Sequence, residues 1–142
     1  MRRFGILMVI SLLAWFSANV QATTLEAKEE AWAMALMLLA KGIAVNDAYS
    51  HGYLGRGEST VYELYLHADT TYHFIAGGCY DAYDVDIVVG DSNRRILARD
   101  TDTDKHAVVQ VKPRRSGYYY VAVQMSNSTS DGAHYALLTV ED

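Results

Sequence analysis

Between Val61 and Val140 the apolar residues fall at every second position, in short runs broken by polar turns. Tyr62, Leu64 and Leu66 share one face of the first run, and Tyr72 and Phe74 one face of the next. Val85, Ile87 and Val89 repeat the pattern, as do Ala107, Val109 and Val111, then Tyr119, Val121 and Val123, then Tyr135, Leu137 and Thr139. A shorter run from Arg95 to Arg99 carries Ile96 and Leu97. A period of two sends alternate side chains to opposite faces of a strand, so each run has one face to bury. Seven such runs, separated by Gly, Asp, Asn and Ser clusters, predict an all-β fold: an antiparallel, jelly-roll-like sandwich of seven to eight strands. His67 to Thr71 reads as a short hairpin loop, and Asp91-Ser92-Asn93 as a turn whose side chains bond their own backbone.

The N-terminus reads differently. Arg2 and Arg3 precede an uncharged apolar stretch from Phe4 to Phe16, and Val20-Gln21-Ala22 offers the small residues of a cleavage site. Residues 1–22 therefore read as a secretory leader of bacterial type, cut after Ala22, with an apolar stretch too short for a comfortable membrane span. The leader removes two of the twelve basic residues and no acid, leaving 120 residues with ten basic and seventeen acidic side chains, a net charge of −7. An acidic domain of this size disfavours nucleic acid and anionic lipid partners and suits cations or basic partners. An exported location, periplasmic or extracellular, is expected, and membrane contact is not expected once the leader is gone. Cys79 is the single cysteine, so no internal disulfide is possible; it is either buried and inert or paired between chains.

Residues 23–48 predict a helix that precedes a domain at 49–142. Thr23 and Glu26 suit a capping box, and Glu26, Glu29 and Glu30 lie where the helix dipole favours negative charge. Trp32, Leu36, Leu39 and Ile43 fall on one face, and Met34, Met37 and Leu38 broaden it until the helix is apolar nearly all round. Gly42 weakens its last turn, and Asn46-Asp47 are expected to end it. That surface must be covered, either by the sandwich itself or by a partner chain or membrane interface through residues 25–45, for instance in a homo-oligomer.

Four motifs carry a family resemblance. Leu66-His-Ala-Asp-Thr-Thr-Tyr72-His-Phe74, Asp84-Val-Asp86-Ile with Asp91, Leu97 and Asp100, Ser116-Gly117-Tyr118-Tyr119-Tyr120-Val121, and Tyr135-Ala-Leu137-Leu-Thr-Val140 occur in order. Together they resemble the bacterial pre-peptidase C-terminal domain, a small β-sandwich appended to secreted proteases, over about 90 residues from Gly52 to Val140. The chain departs at two turn glycines, which are Asp69 and Arg94 here; either turn survives if Asp69 or Asn93 adopts the left-handed conformation. Only a helix precedes the domain, so a role as accessory to an adjoining peptidase does not transfer. The resemblance implies a non-catalytic exported module, and some members of that family bind calcium or extracellular matrix proteins.

The candidate chemistry is sparse. Asp81, Asp84 and Asp86, then Asp100, Asp102 and Asp104, are two acidic clusters that could converge on calcium, which takes six to eight oxygens, or could instead cap turns. Otherwise no cofactor is expected. Asp100-Thr-Asp102-Thr-Asp104 begins like a calcium-binding EF-hand loop, but Lys105 stands where that loop needs Gly and Val111 where it needs Glu. His51, His67, His73, His106 and His134 show no metal-ligand spacing, although His67 and His73 could face each other across the hairpin. No serine lies in a Gly-x-Ser-x-Gly elbow, and Asp81 and Asp84 would raise the pKa of Cys79 and so disarm it as a nucleophile. Tyr80 and Tyr83 in the acidic loop could grip a sugar or a protein, or simply stabilise the sheet. The expectation is a non-enzymatic binding or accessory module for a protein or envelope polymer, presenting Tyr80 and Tyr83 at one end. The alternative is an assembly protein docking through Trp32, Leu36, Leu39 and Ile43.

Overall fold

The computed structural model describes residues 24–45, 49–129 and 131–142. The expected leader, Thr23 and the expected helix end at Asn46-Asp47 lie outside the described residues. A helix, α1, covers residues 24–40 and is followed by eight strands. These are β1 (Tyr49–Leu54), β2 (Ser59–Leu66), β3 (Tyr72–Gly78), β4 (Ala82–Asp91), β5 (Ile96–Asp100), β6 (His106–Val111), β7 (Gly117–Ser128) and β8 (Ala133–Glu141).

They form two four-stranded antiparallel sheets, β1-β8-β3-β6 and β2-β7-β4-β5. This is the strand order of a jelly roll, so the sandwich architecture expected from the alternation is present. Val85, Ile87, Val89, Val109, Val121 and Val123 fill the space between the sheets with Phe74, Tyr72 and Tyr135. Cys79 is buried there as a free thiol. β1 was not among the seven alternating runs. Its sequence, Tyr-Ser-His-Gly-Tyr-Leu, is polar and carries a glycine, and only pairing with β8 makes it a strand. β2 and β3 belong to different sheets, so residues 67–71 cross between layers and are not a hairpin loop.

α1 lies on the outer face of β1-β8-β3-β6. It buries Ala27, Ala31, Ala35 and Leu38, chiefly against Ile75, Leu138 and Val140. The bulky stripe expected to be buried is not the docked face: Trp32 and Ile43 are half-buried, while Leu36 and Leu39 are 58% and 43% exposed. The small side chains win because they let the two backbones approach. A Cβ on Gly77 of β3 would sit 2.5 Å from the Ala31 nitrogen and 2.6 Å from the Ala27 oxygen. Every residue of β3 is therefore buried, on one face by the core and on the other by the helix. Three polar contacts fix the angle. The Tyr80 amide donates to Glu26 Oε2 at 3.1 Å, Lys105 pairs with Glu30 at 2.7 Å, and the Lys28 ammonium sits 4.6 Å from the Tyr49 ring centre.

The helix ends at Ala40, earlier than expected. Gly42 takes φ 85°, its N–H bonds the Leu39 carbonyl at 3.0 Å, and the Ile43 N–H bonds the Leu38 carbonyl at 3.1 Å. That pair of bonds is a Schellman cap, which glycine permits because it has no Cβ. No helix among the described residues is long and apolar enough to cross a membrane.

Candidate functional site

Antiparallel order places the β1–β2, β3–β4, β5–β6 and β7–β8 connections at one end of the sandwich and the other three at the opposite end. The first end is acidic. Glu58, Asp81, Asp102, Asp104 and Asp131 lie on its loops, and the N-terminal turns of α1 bring Glu26, Glu29 and Glu30 beside Tyr80. Tyr80 is 80% exposed and Tyr83 is 55% exposed, so both expected tyrosines project from this end. Their backbone is held. The Tyr80 amide is bound by Glu26, and the Thr129 amide bonds the Asp81 carbonyl at 3.0 Å.

The structure brings some of the acidic candidates together. Val85 and Ile87 point into the core, so Asp84 and Asp86 point to the outer face of the same strand. Asp86 is 8% exposed and accepts a hydrogen bond from Ser126 Oγ. One oxygen of each carboxylate, Oδ1, is buried without a partner. Burial, then the charge of Asp86, pushes the Asp84 carboxyl above its usual range, with a bond from the Asp104 backbone pulling the other way. Asp100 is elsewhere. It lies opposite Ile87 in the β4–β5 ladder, on the core side, where its carboxylate accepts the Asp102 amide at 3.2 Å and the Val108 amide at 2.9 Å. Asp102 is exposed on the loop, and Asp81 joins the β7–β8 loop through its carbonyl. Among the described residues no three His, Cys, Asp or Glu side chains are grouped to hold a metal ion.

The histidines follow the fold. His73 is buried beneath the C-terminal part of the helix, and burial lowers its pKa. His67 is exposed and stacks edge-on against Tyr65, 5.3 Å between ring centres.

One side of the opposite end is basic, which the net charge concealed. Arg95 on the β4–β5 turn and Lys112, Arg114 and Arg115 on the β6–β7 loop line a cleft of about 670 Å³ there, together with Asp91, which pairs with Arg95 at 3.9 Å. The two segments lie far apart in sequence, so only the strand order reveals the patch. Asp69 and Arg94 both adopt the left-handed conformation, with φ of 62° and 63°. At the β4–β5 turn Arg94 itself takes it, not Asn93, because Asp91 Oδ1 accepts the amides of Asn93 and Arg95 at 2.9 Å each.

The fold defines the class: a jelly-roll β-sandwich with one helix docked on an outer face. Solved structures of similar fold include the periplasmic inhibitor of g-type lysozyme PliG from Aeromonas hydrophila, with TM-score 0.51 and 21% identity over 72% of this chain and 90% of that one. The pre-peptidase C-terminal domain of a Bacillus anthracis collagenase matches with TM-score 0.49 and 18% identity over 65% of this chain and 87% of that one. The Yersinia pseudotuberculosis-derived mitogen matches with TM-score 0.48 and 14% identity over 68% of this chain and 86% of that one. No family model and no curated protein matches the chain.

Proposed function

We propose that this protein is an exported, non-catalytic binding module that engages a protein or an envelope polymer through its acidic end, with Tyr80 and Tyr83 as anchors. The observation that carries the reading is the display of both rings at one end, Tyr80 on the β3–β4 loop with its amide tied to the helix and Tyr83 at the start of β4. Tyrosine supplies large contact area at low conformational cost, and a held backbone reduces what binding must order. Export and protein binding are also what the similarly folded Aeromonas inhibitor is named for. Calcium dependence belongs to the same proposal and centres on Asp84 and Asp86, whose unpartnered oxygens a divalent cation would satisfy together with backbone or solvent oxygens.

The test is capture from an envelope extract by the immobilised mature chain and by a Tyr80→Ala/Tyr83→Ala variant, with a g-type lysozyme as one defined probe. The reading expects a partner retained by the wild type and lost with the double variant. Equal retention by both removes the tyrosine end as the binding surface.

A second reading keeps support from one observation. Leu25, Leu36 and Leu39 form an exposed apolar stripe on α1, away from its docked face. Assembly through that stripe predicts an oligomer that Leu36→Glu dissociates; a monomeric wild type in sedimentation removes it.

A further inference from the structure

The basic cleft is independent of the acidic end, and its walls are specific. On one side stands the β4–β5 turn, on the other the β6–β7 loop, and its floor includes Leu97 of β5 and Gln110 of β6. Both strands are sheet edges, since β5 pairs only with β4 and β6 only with β3. Near the acidic end the β6 edge is closed, because the Val108 amide donates to Asp100 Oδ2 at 2.9 Å. Amides alternate sides along an antiparallel strand, so the Gln110 backbone faces the same open side as that of Val108. There it meets the cleft.

The loop above this edge is preorganised. The Pro113 carbonyl accepts the Asp69 amide at 2.9 Å, Ser116 Oγ accepts the Ala68 amide at 2.8 Å, and the Tyr119 hydroxyl donates to the Arg115 carbonyl at 2.7 Å. Lys112, Arg114 and Arg115 are exposed, and none is paired with a carboxylate among the described residues.

We propose that this cleft binds an extended acidic peptide, a segment of a partner protein, which adds as a strand along the free edge of β6. Guanidinium groups match carboxylates in a two-pronged fork, and a strand edge supplies the main-chain hydrogen bonds that only another peptide returns. The rest of the molecule argues against a long polyanion. The mature chain is strongly acidic overall, so its field opposes a nucleic acid or a sulfated glycan while a short acidic segment sees mainly the local patch. Tyr118 at the cleft rim packs edge-on against Tyr65 at 85°, which leaves no paired flat platform for sugar rings.

The experiment measures binding of a fluorescent Glu-rich peptide to the mature protein by anisotropy, beside a Gln-rich peptide, heparin and an N-methylated version of the Glu-rich peptide. Saturable binding of the Glu-rich peptide is expected, weakened about tenfold or more by Arg114→Glu/Arg115→Glu and by N-methylation, with Tyr80→Ala/Tyr83→Ala neutral. Gln110→Pro removes the outward amide at an edge position that tolerates proline and is expected to act like N-methylation. Absence of binding overturns the proposal, as does insensitivity to the arginine variant. Full binding of the N-methylated peptide overturns strand addition, and heparin binding more tightly than the peptide overturns the peptide assignment. The N-methylated arm decides the matter even if Gln110→Pro misfolds, and the neutral tyrosine variant separates this site from the acidic end.

Discussion

Gly77 of β3 lies directly beneath Ala31 of the helix, so close that a methyl group on the glycine would overlap the helix backbone. Backbone cannot rotate away as a side chain can. Gly77→Ala is therefore expected to lift the helix and cost about 1–3 kcal/mol, the range for overpacking a filled site. Thermal melting should show the loss, and hydrogen exchange should show faster exchange over residues 27–38 with the β7 core unchanged. An unaltered melting point would mean that the helix is not seated on β3.

Asp84 gives a stability dependence with a definite sign. Burial and the neighbouring Asp86 raise its folded pKa above the unfolded value, so the pair stabilises the fold while Asp84 is protonated and loses that contribution as pH rises through the folded pKa. Asp84→Asn is expected to raise the melting temperature at neutral pH by a few degrees, with the gain vanishing in acid. Calcium is expected to raise the wild-type melting point and not that of the variant, because a ligand of the native state stabilises it. Equal midpoints with calcium and with chelator would remove the cation from the account.

His73 acts in the opposite direction. Burial depresses its folded pKa, so its contribution is present above the unfolded value of 6.5 and is lost as pH falls through the folded pKa. Lys41 adds to the depression, while Asp142 opposes it. His73→Phe should flatten the acid side of the stability curve below that value. A curve of unchanged shape would show that His73 does not charge during acid unfolding.

Arg94 holds a left-handed backbone that L-residues reach at a cost of roughly 1–2 kcal/mol. Arg94→Gly should recover about 1 kcal/mol of that, part being lost to the greater entropy of the unfolded glycine chain. Chemical denaturation measures it directly. A destabilised variant would mean that the Arg94 side chain contributes more than its backbone costs.

Much of the sandwich was legible because its physics is local. Val85, Ile87, Val121 and Val123 alternate with outward residues, and all four are fully buried. The two turn glycines of the family pattern were informative even where absent, since Asp69 and Arg94 take the conformation glycine would. What escaped was set by tertiary structure. Helical periodicity marked the bulky stripe of α1, but β3 offers Gly77, and a glycine favours the alanine face. β1 has no pattern of its own and borrows its hydrogen bonds from β8. Asp84 and Asp100 are near in the hairpin yet face opposite sides of the sheet, a distinction that depends on the register Ile87↔Asp100. The basic cleft joins Arg95 to residues 112–115 across β5 and β6, a meeting that only the strand order reveals.

Tyr80 stands at the centre of the proposed binding surface. A photo-crosslinking phenylalanine analogue placed at position 80 of the full chain, and separately at position 36 on the helix stripe, tests it inside a bacterial cell. The expected outcome is an adduct with another envelope component from position 80 and none from position 36. An adduct from position 36 alone would contradict it and hand the interface to the helix.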